Sequence, residues 1–216
     1  MKRFTTTLFA LSLVATSVPS LRADDTDAKP DAAKTTITKP DSAACCDAAM
    51  AAPEKTVFTA DTAFAFLKTM AGNWKSAAAS QGHYGKGDVQ QFRVSAAGSA
   101  VVNTIFPGEE SEMVSVFHRD NKELLLTHYC AIQNVPIMKF EKSDQPGVIK
   151  FVFSGGTNFD PAIDAHVHEG TIVVKDTNTV ESTFVAYANN KPMPGLKSVL
   201  KREESKQAAS LIDALK

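Results

Sequence analysis

The sequence predicts an all-β fold, a single antiparallel up-and-down β-barrel of about ten strands with a short N-terminal helix and a C-terminal helix. Three observations carry this. From Asn73 onward the apolar residues recur with a period of two. The runs are short and rich in Val, Ile, Phe and Thr. Turn-forming residues separate them at near-regular intervals. A chain with so many short strands removes its exposed edges most simply by closing on itself. A two-sheet sandwich is the rival arrangement.

Three zones precede or flank the strands. Residues 1–23 read as a secretory signal: Lys2 and Arg3 are the basic start, Leu8–Val18 the apolar segment, and cleavage follows Ser20 or Ala23. The expected location is therefore exported, periplasmic or extracellular. Residues 24–57 are built from Ala, Asp, Lys, Thr and Pro, and no aromatic residue lies between Phe9 and Phe58. Such a segment cannot bury enough apolar surface to offset its chain entropy, and it reads as a disordered linker. It carries Cys45 and Cys46, which read as a solvated pair, a vicinal disulfide or an intermolecular link, with a metal or redox site as the functional alternative. With Cys130 the cysteines number 3, which is no disulfide framework. The barrel is expected over residues 58–202.

A helix opens it. Asp61 is a candidate N-cap, Phe64, Leu67 and Met70 share a face, and Gly72 can end it. The expected strands follow at Asn73–Ala79, Val89–Ser95, Ala100–Phe106, Glu112–Arg119, Glu123–Ala131, Pro136–Lys142, Val148–Gly155, Ala165–Lys175, Thr179–Asn189 and Leu196–Arg202. Between them lie turn signals such as Pro107-Gly108, Asp120-Asn121, Pro146-Gly147 and Asn189-Asn190. Residues 203–216 form the C-terminal helix, with Ala208, Leu211, Ile212 and Leu215 on one side.

Composition excludes several functions. The chain has 216 residues, 44% hydrophobic and 22% charged, with 23 basic and 24 acidic residues. Removing residues 1–23 takes Lys2, Arg3 and Arg22 and no acid, leaving 20 basic against 24 acidic residues and a net charge of −4. A mildly acidic chain lacks the basic footprint of nucleic-acid binding. No apolar run reaches the roughly 18 residues of a membrane-spanning helix, so no membrane insertion is expected.

Alternation assigns side chains to faces. Glu169, Thr171 and Lys175 point outward, so His166, His168, Gly170, Ile172 and Val174 point inward. By the same phase Phe184, Phe151, Phe153, Met138, Phe140 and Phe92 face the lumen. Leu124, Leu126, His128 and Cys130 share another face, read as the inner one. The expected lumen is apolar with one polar group, and His128, Cys130, Met138, Phe140, Phe151, Phe153, His166, His168 and Phe184 are its candidate ligand-binding residues. His-x-His on a strand places two imidazoles about 7 Å apart at Cα. His128, His166 and His168, with Cys130 beside them, are thus candidate ligands for a metal ion or a haem iron. The other reading is that they are hydrogen-bonded core or rim residues. His83 and His118 are expected in solvent, and Asp160 and Asp164 in a turn.

The segment Met70-Ala71-Gly72-Asn73-Trp74 carries a Gly-x-Trp at the start of the first strand, directly after a helix. With the meander that follows, it resembles the opening of the lipocalin-like (calycin) barrels. The resemblance implies that Trp74 caps one end of the barrel and that a basic residue of the last strand, Lys201 or Arg202, packs over it. Leu126-Thr127-His128-Tyr129-Cys130 with Asn134 and Pro136, and His166-Val167-His168, resemble an uncharacterised family of exported bacterial lipocalin-like proteins. Over residues 60–202 this implies a fold and a lumen for a small ligand, and no activity. The chain departs from secreted lipocalins in lacking a convincing disulfide pair.

No Gly-x-Ser-x-Gly, phosphate loop, dinucleotide fingerprint or His-Glu-x-x-His is present. The sequence favours a non-catalytic protein. Its leading reading is a barrel that binds a small, mostly apolar molecule. The alternatives are a metal- or haem-binding barrel, and a filled barrel acting as a protein-interaction module.

Overall fold

The computed structural model describes residues 52–78 and 87–204. The expected signal segment, the linker with Cys45 and Cys46, His83 and the C-terminal helix fall outside these residues, wholly or in all but a few positions. After a 3-10 turn at Pro53–Lys55, helix α1 spans Ala60–Thr69. Its cap is Thr59, two residues before the expected Asp61. The Thr59 side chain accepts from the Thr62 amide, and the Thr62 hydroxyl accepts from the Thr59 amide. Two orphan amides are satisfied reciprocally, which Asp61 from inside the helix cannot do. Asp61 instead pairs with Arg119 at 3.0 Å. Among the described residues no helix is long and apolar enough to cross a membrane.

The strands are β1 (Gly72–Ala78), β2 (Val89–Ser95), β3 (Ala100–Ile105), β4 (Met113–Asp120), β5 (Glu123–Tyr129), β6 (Val135–Glu141), β7 (Val148–Thr157), β8 (His166–Asp176), β9 (Thr179–Ala188), β10 (Lys191–Pro192) and β11 (Leu196–Arg202). Neighbours pair antiparallel from β1 through β9. The sheet then closes because β9 also pairs with β11, and β11 with β1. The result is a closed antiparallel barrel of ten strands. The two-residue strand β10 pairs back on the end of β9, an element the sequence pattern does not announce.

Burial follows the pleat. Leu124 and Leu126, Ile149 and Phe151, and Ile172 and Val174 are buried at alternate positions. Helix α1 closes one end. Its Ala63, Phe64, Phe66 and Leu67 join Met70, Trp74, Phe92, Phe117 and Leu126 in one core cluster. Over that end lies Arg202. Its guanidinium is 4.4 Å from the centre of the Trp74 ring and donates to the Thr69 and Ala71 carbonyls at 2.7 Å each. Trp74 donates through Nε1 to the Met70 carbonyl at 2.7 Å. Lys201, the other basic candidate for this place, is exposed.

The segment before α1 is tied to the β7 hairpin through Gly147. Its amide donates to the Thr56 carbonyl at 2.8 Å, and its carbonyl accepts from Val174 at 2.7 Å. Its φ is +74°, and a Cβ there would lie 2.9 Å from the Glu54 carbonyl oxygen and 3.1 Å from that of Val174. Both obstacles are backbone and cannot swing away. Gly147→Ala is therefore expected to cost about 2 kcal/mol or more, read as a lower urea midpoint with unchanged slope. A midpoint equal to that of the parent chain would contradict this account.

Candidate functional site

Among the described residues, the end opposite α1 is not filled. Here β3, β5 and β9 end and β4, β8 and β11 begin, and their side chains enclose a cavity of about 380 Å³. The wall is mainly apolar: Ile105, Phe106, Met113, Phe184, Ala186 and Leu196 from the strands and their ends, with Ile132 and Met193 from the loops. Three exposed apolar residues, Ile132, Ile163 and Met193, lie in the loops of this end.

Ser115 and His128 face each other across β4 and β5 and form its central polar pair. Ser115 is 2% and His128 6% exposed. Ser115 Oγ lies 2.9 Å from His128 Nδ1. Burial among apolar groups pushes the His128 pKa down to about 4, because the charged ring has no compensating partner there. This has a consequence for stability. Between pH 6.5 and about 4 the unfolded chain carries a proton on this ring and the folded chain does not. Stability is thus complete above that window and falls as pH is lowered through it, by up to about 3 kcal/mol. Burial lowers His168 as well and acts in the same direction. Replacing His128 with leucine is expected to flatten the loss measured by urea unfolding at pH 7 and pH 4.5. An unchanged loss would place the sensitivity elsewhere.

His166 also lines the cavity and is 1% exposed. Its Nδ1 lies 2.9 Å from the Asp164 carbonyl and its Nε2 3.0 Å from His168 Nδ1. A carbonyl only accepts, so in the neutral pair His166 carries its proton on Nδ1 and receives one from His168 Nδ1. His168 stacks between Tyr187, at 4.0 Å, and Phe153, at 4.8 Å between ring centres. Tyr187 donates to Glu169 at 3.1 Å. The expected shared inward face of β8 is interrupted here. Gly170 opposes Phe184 and Val167 opposes Ala186, so the register shifts at His168. Through this bulge Val167, and not His168, continues the row of Phe184 and Ala186 on the cavity wall.

The remaining candidates divide. Cys130 lines the cavity, half-buried, with Sγ 3.9 Å from Met113 Sδ. Phe184 lines it too, its ring lying over Gly170, where a Cβ would come within 2.8 Å. Met138, Phe140 and Phe151 pack in the filled core instead. Phe153 belongs to the stack with His166 and His168. His118 is half-buried, 3.4 Å from the Thr127 hydroxyl. Asp160 and Asp164 hold a turn in which the Asp164 carboxylate accepts from the Asp160 amide at 2.8 Å. The structure does not bring His128 together with the His166–His168 pair as a chelating set: among the described residues no group of three or more His, Cys, Asp and Glu has the geometry for a metal ion.

Sequence reasoning missed Ser115 and most of the apolar wall. It also missed a row of buried polar residues beneath the cavity, of which the alternation along β9 places only Ser182 inward. Asn103 lies beside Ser115 on β3 and donates to Gln90 Oε1 at 3.0 Å. On the adjoining strands Ser198 donates to Ser76 at 3.2 Å, with Ser182 opposite Ser198. The alternation that identified inward apolar residues was a usable signal for these as well. No model of a known protein family matches the chain, and no curated protein matches it.

Proposed function

We propose that this chain is an exported, non-catalytic binding protein of lipocalin-like type, which holds one small, mostly apolar molecule at the open end of its barrel. The cavity is the observation that carries this reading. Its 380 Å³ falls within the range of ligand sites, about 300–1,000 Å³. By comparison with an apolar cavity of about 150 Å³ that holds benzene, it takes roughly fifteen non-hydrogen atoms. An apolar wall with a few polar groups supplies affinity through burial and orientation through hydrogen bonds. The arrangement of Gly72, Trp74 and Arg202 supports the lipocalin-like assignment, and exposed Ile132 and Met193 at the mouth suit the entry of an apolar molecule.

The test uses 1-aminoanthracene, a fluorescent probe of the right size, with the full chain. Saturable, blue-shifted emission at one probe per barrel, in the micromolar range, is the expected result. Emission that stays at the solvent value at all concentrations would overturn the reading. Native mass spectrometry of protein taken from its export compartment would then weigh the natural ligand.

A further inference from the structure

Resting on that reading, we propose that the Ser115–His128 pair is the head-group site of the cavity, and that it takes an uncharged hydrogen-bond acceptor, a ketone, aldehyde, ester or ether oxygen on an apolar chain, in preference to a carboxylate.

The serine hydroxyl sets the tautomer of the pair. Ser115 is 2% exposed, and His128 Nδ1 is its hydrogen-bond partner. A buried hydroxyl proton left without an acceptor is costly. Donation from Ser115 Oγ to His128 Nδ1 satisfies it. The neutral imidazole then carries its own proton on Nε2. That nitrogen has no partner among the described residues, and the ring lines the cavity. The site therefore presents an N–H donor to whatever fills the space.

The surroundings decide the charge of the guest. Behind Ser115 the polar row ends in an acceptor: Asn103 Oδ1 is buried and unpaired. The described side chains of the cavity wall include no Lys or Arg. The β3–β4 loop at the mouth carries Glu109, Glu110 and Glu112, and the Glu112 carboxylate accepts from the Gly108 amide at 2.6 Å. A carboxylate placed here would lose its hydration and meet one neutral donor, a lone pair and an acidic rim. A carbonyl oxygen needs one donor and finds it. The depressed pKa of His128 agrees, because it keeps the ring neutral at physiological pH.

The experiment is displacement of 1-aminoanthracene at pH 7.5 by 2-decanone, undecane and decanoate, three guests of nearly equal size. The ketone is expected to displace the probe at about tenfold lower concentration than undecane, the effect of one good hydrogen bond. Decanoate is expected to bind weaker than the ketone by at least that factor. In His128→Leu the ketone should lose its tenfold advantage and bind no tighter than undecane does to the same variant. Nitrogen-15 NMR of the imidazole in the unsubstituted chain gives an independent readout, and the expected species is the neutral ring protonated at Nε2. Decanoate binding as tightly as 2-decanone, or a ring protonated at Nδ1, would overturn the head-group assignment and leave the binding reading standing. Failure of the probe itself to bind would overturn both.

Discussion

Replacing Trp74 with alanine is expected to cost about 3–5 kcal/mol of folding stability, the range for emptying a buried tryptophan site. The side chain is fully buried and sits where helix and barrel meet. Its ring packs edge-on against Phe92 at 6.2 Å, its Nε1 closes on the Met70 carbonyl, and its face carries Arg202. Truncation removes all three and leaves a void where α1 meets the barrel. A domain with the usual 5–15 kcal/mol of stability would lose a fifth or more of it. At this size the melting temperature should fall by roughly 6–20 °C. Trp74 is the chain's single tryptophan, so the melt is followed by circular dichroism, not by intrinsic fluorescence. Arg202→Met separates the parts. It keeps the apolar stem over the ring but leaves the Thr69 and Ala71 carbonyls without their charged donor, at about 2 kcal/mol. Arg202→Lys should recover little, because one ammonium cannot reproduce the fork that spans two carbonyls and stacks on the indole. A Trp74→Ala chain within about 1 kcal/mol of the parent would refute the account, since no core deletion of this size is that cheap.

The Trp74–Arg202 clamp and the strands that carry it were legible in the sequence, and the contents of the barrel were much less so. Strand positions follow from period-two alternation and from turn residues that tolerate positive φ, such as Asn121, Gly147, Asn189 and Asn190. These are local signals. The inward assignments of Met138, Phe151, Ile172 and Val174 hold for the same reason. His168 is different. Whether β8 runs straight or bulges depends on its pairing with β9, and nothing within His166-Val167-His168 encodes that. Ser115 meets His128 because β4 and β5 adopt one register, again a property of two segments. The empty space is less local still. It depends on which of ten strands contribute small residues, Ala186 or Ser115, at one level, and on α1 filling the other end. The Thr59 cap was missed for a simpler reason: the paired Thr59 and Thr62 compete with an acidic residue that looked like a conventional cap.

That dependence on one level of small residues yields the second large effect. Ala186 lies on β9 opposite Val167, and both line the cavity. In Ala186→Trp an indole replaces a methyl group on that wall. The space it needs is already present, so the usual penalty for overpacking a filled core does not apply. The folded chain should keep its stability to within about 1 kcal/mol, or gain from the added apolar contacts. Binding should respond in the opposite sense. The indole takes up a large part of the 380 Å³, and a guest of the size estimated above no longer fits beside it. Affinity for 1-aminoanthracene is expected to fall by about 2 kcal/mol or more, roughly thirtyfold. Stability and binding are thereby uncoupled in one variant, which Trp74→Ala cannot do. That substitution weakens binding only by unfolding the barrel, and its effect on a partly folded sample disappears once the unfolded fraction is subtracted. If the probe binds Ala186→Trp as tightly as the parent while the variant stays folded, the guest lies elsewhere on the molecule. The cavity would then be a packing defect at the open end, and the binding reading would have to move with the probe.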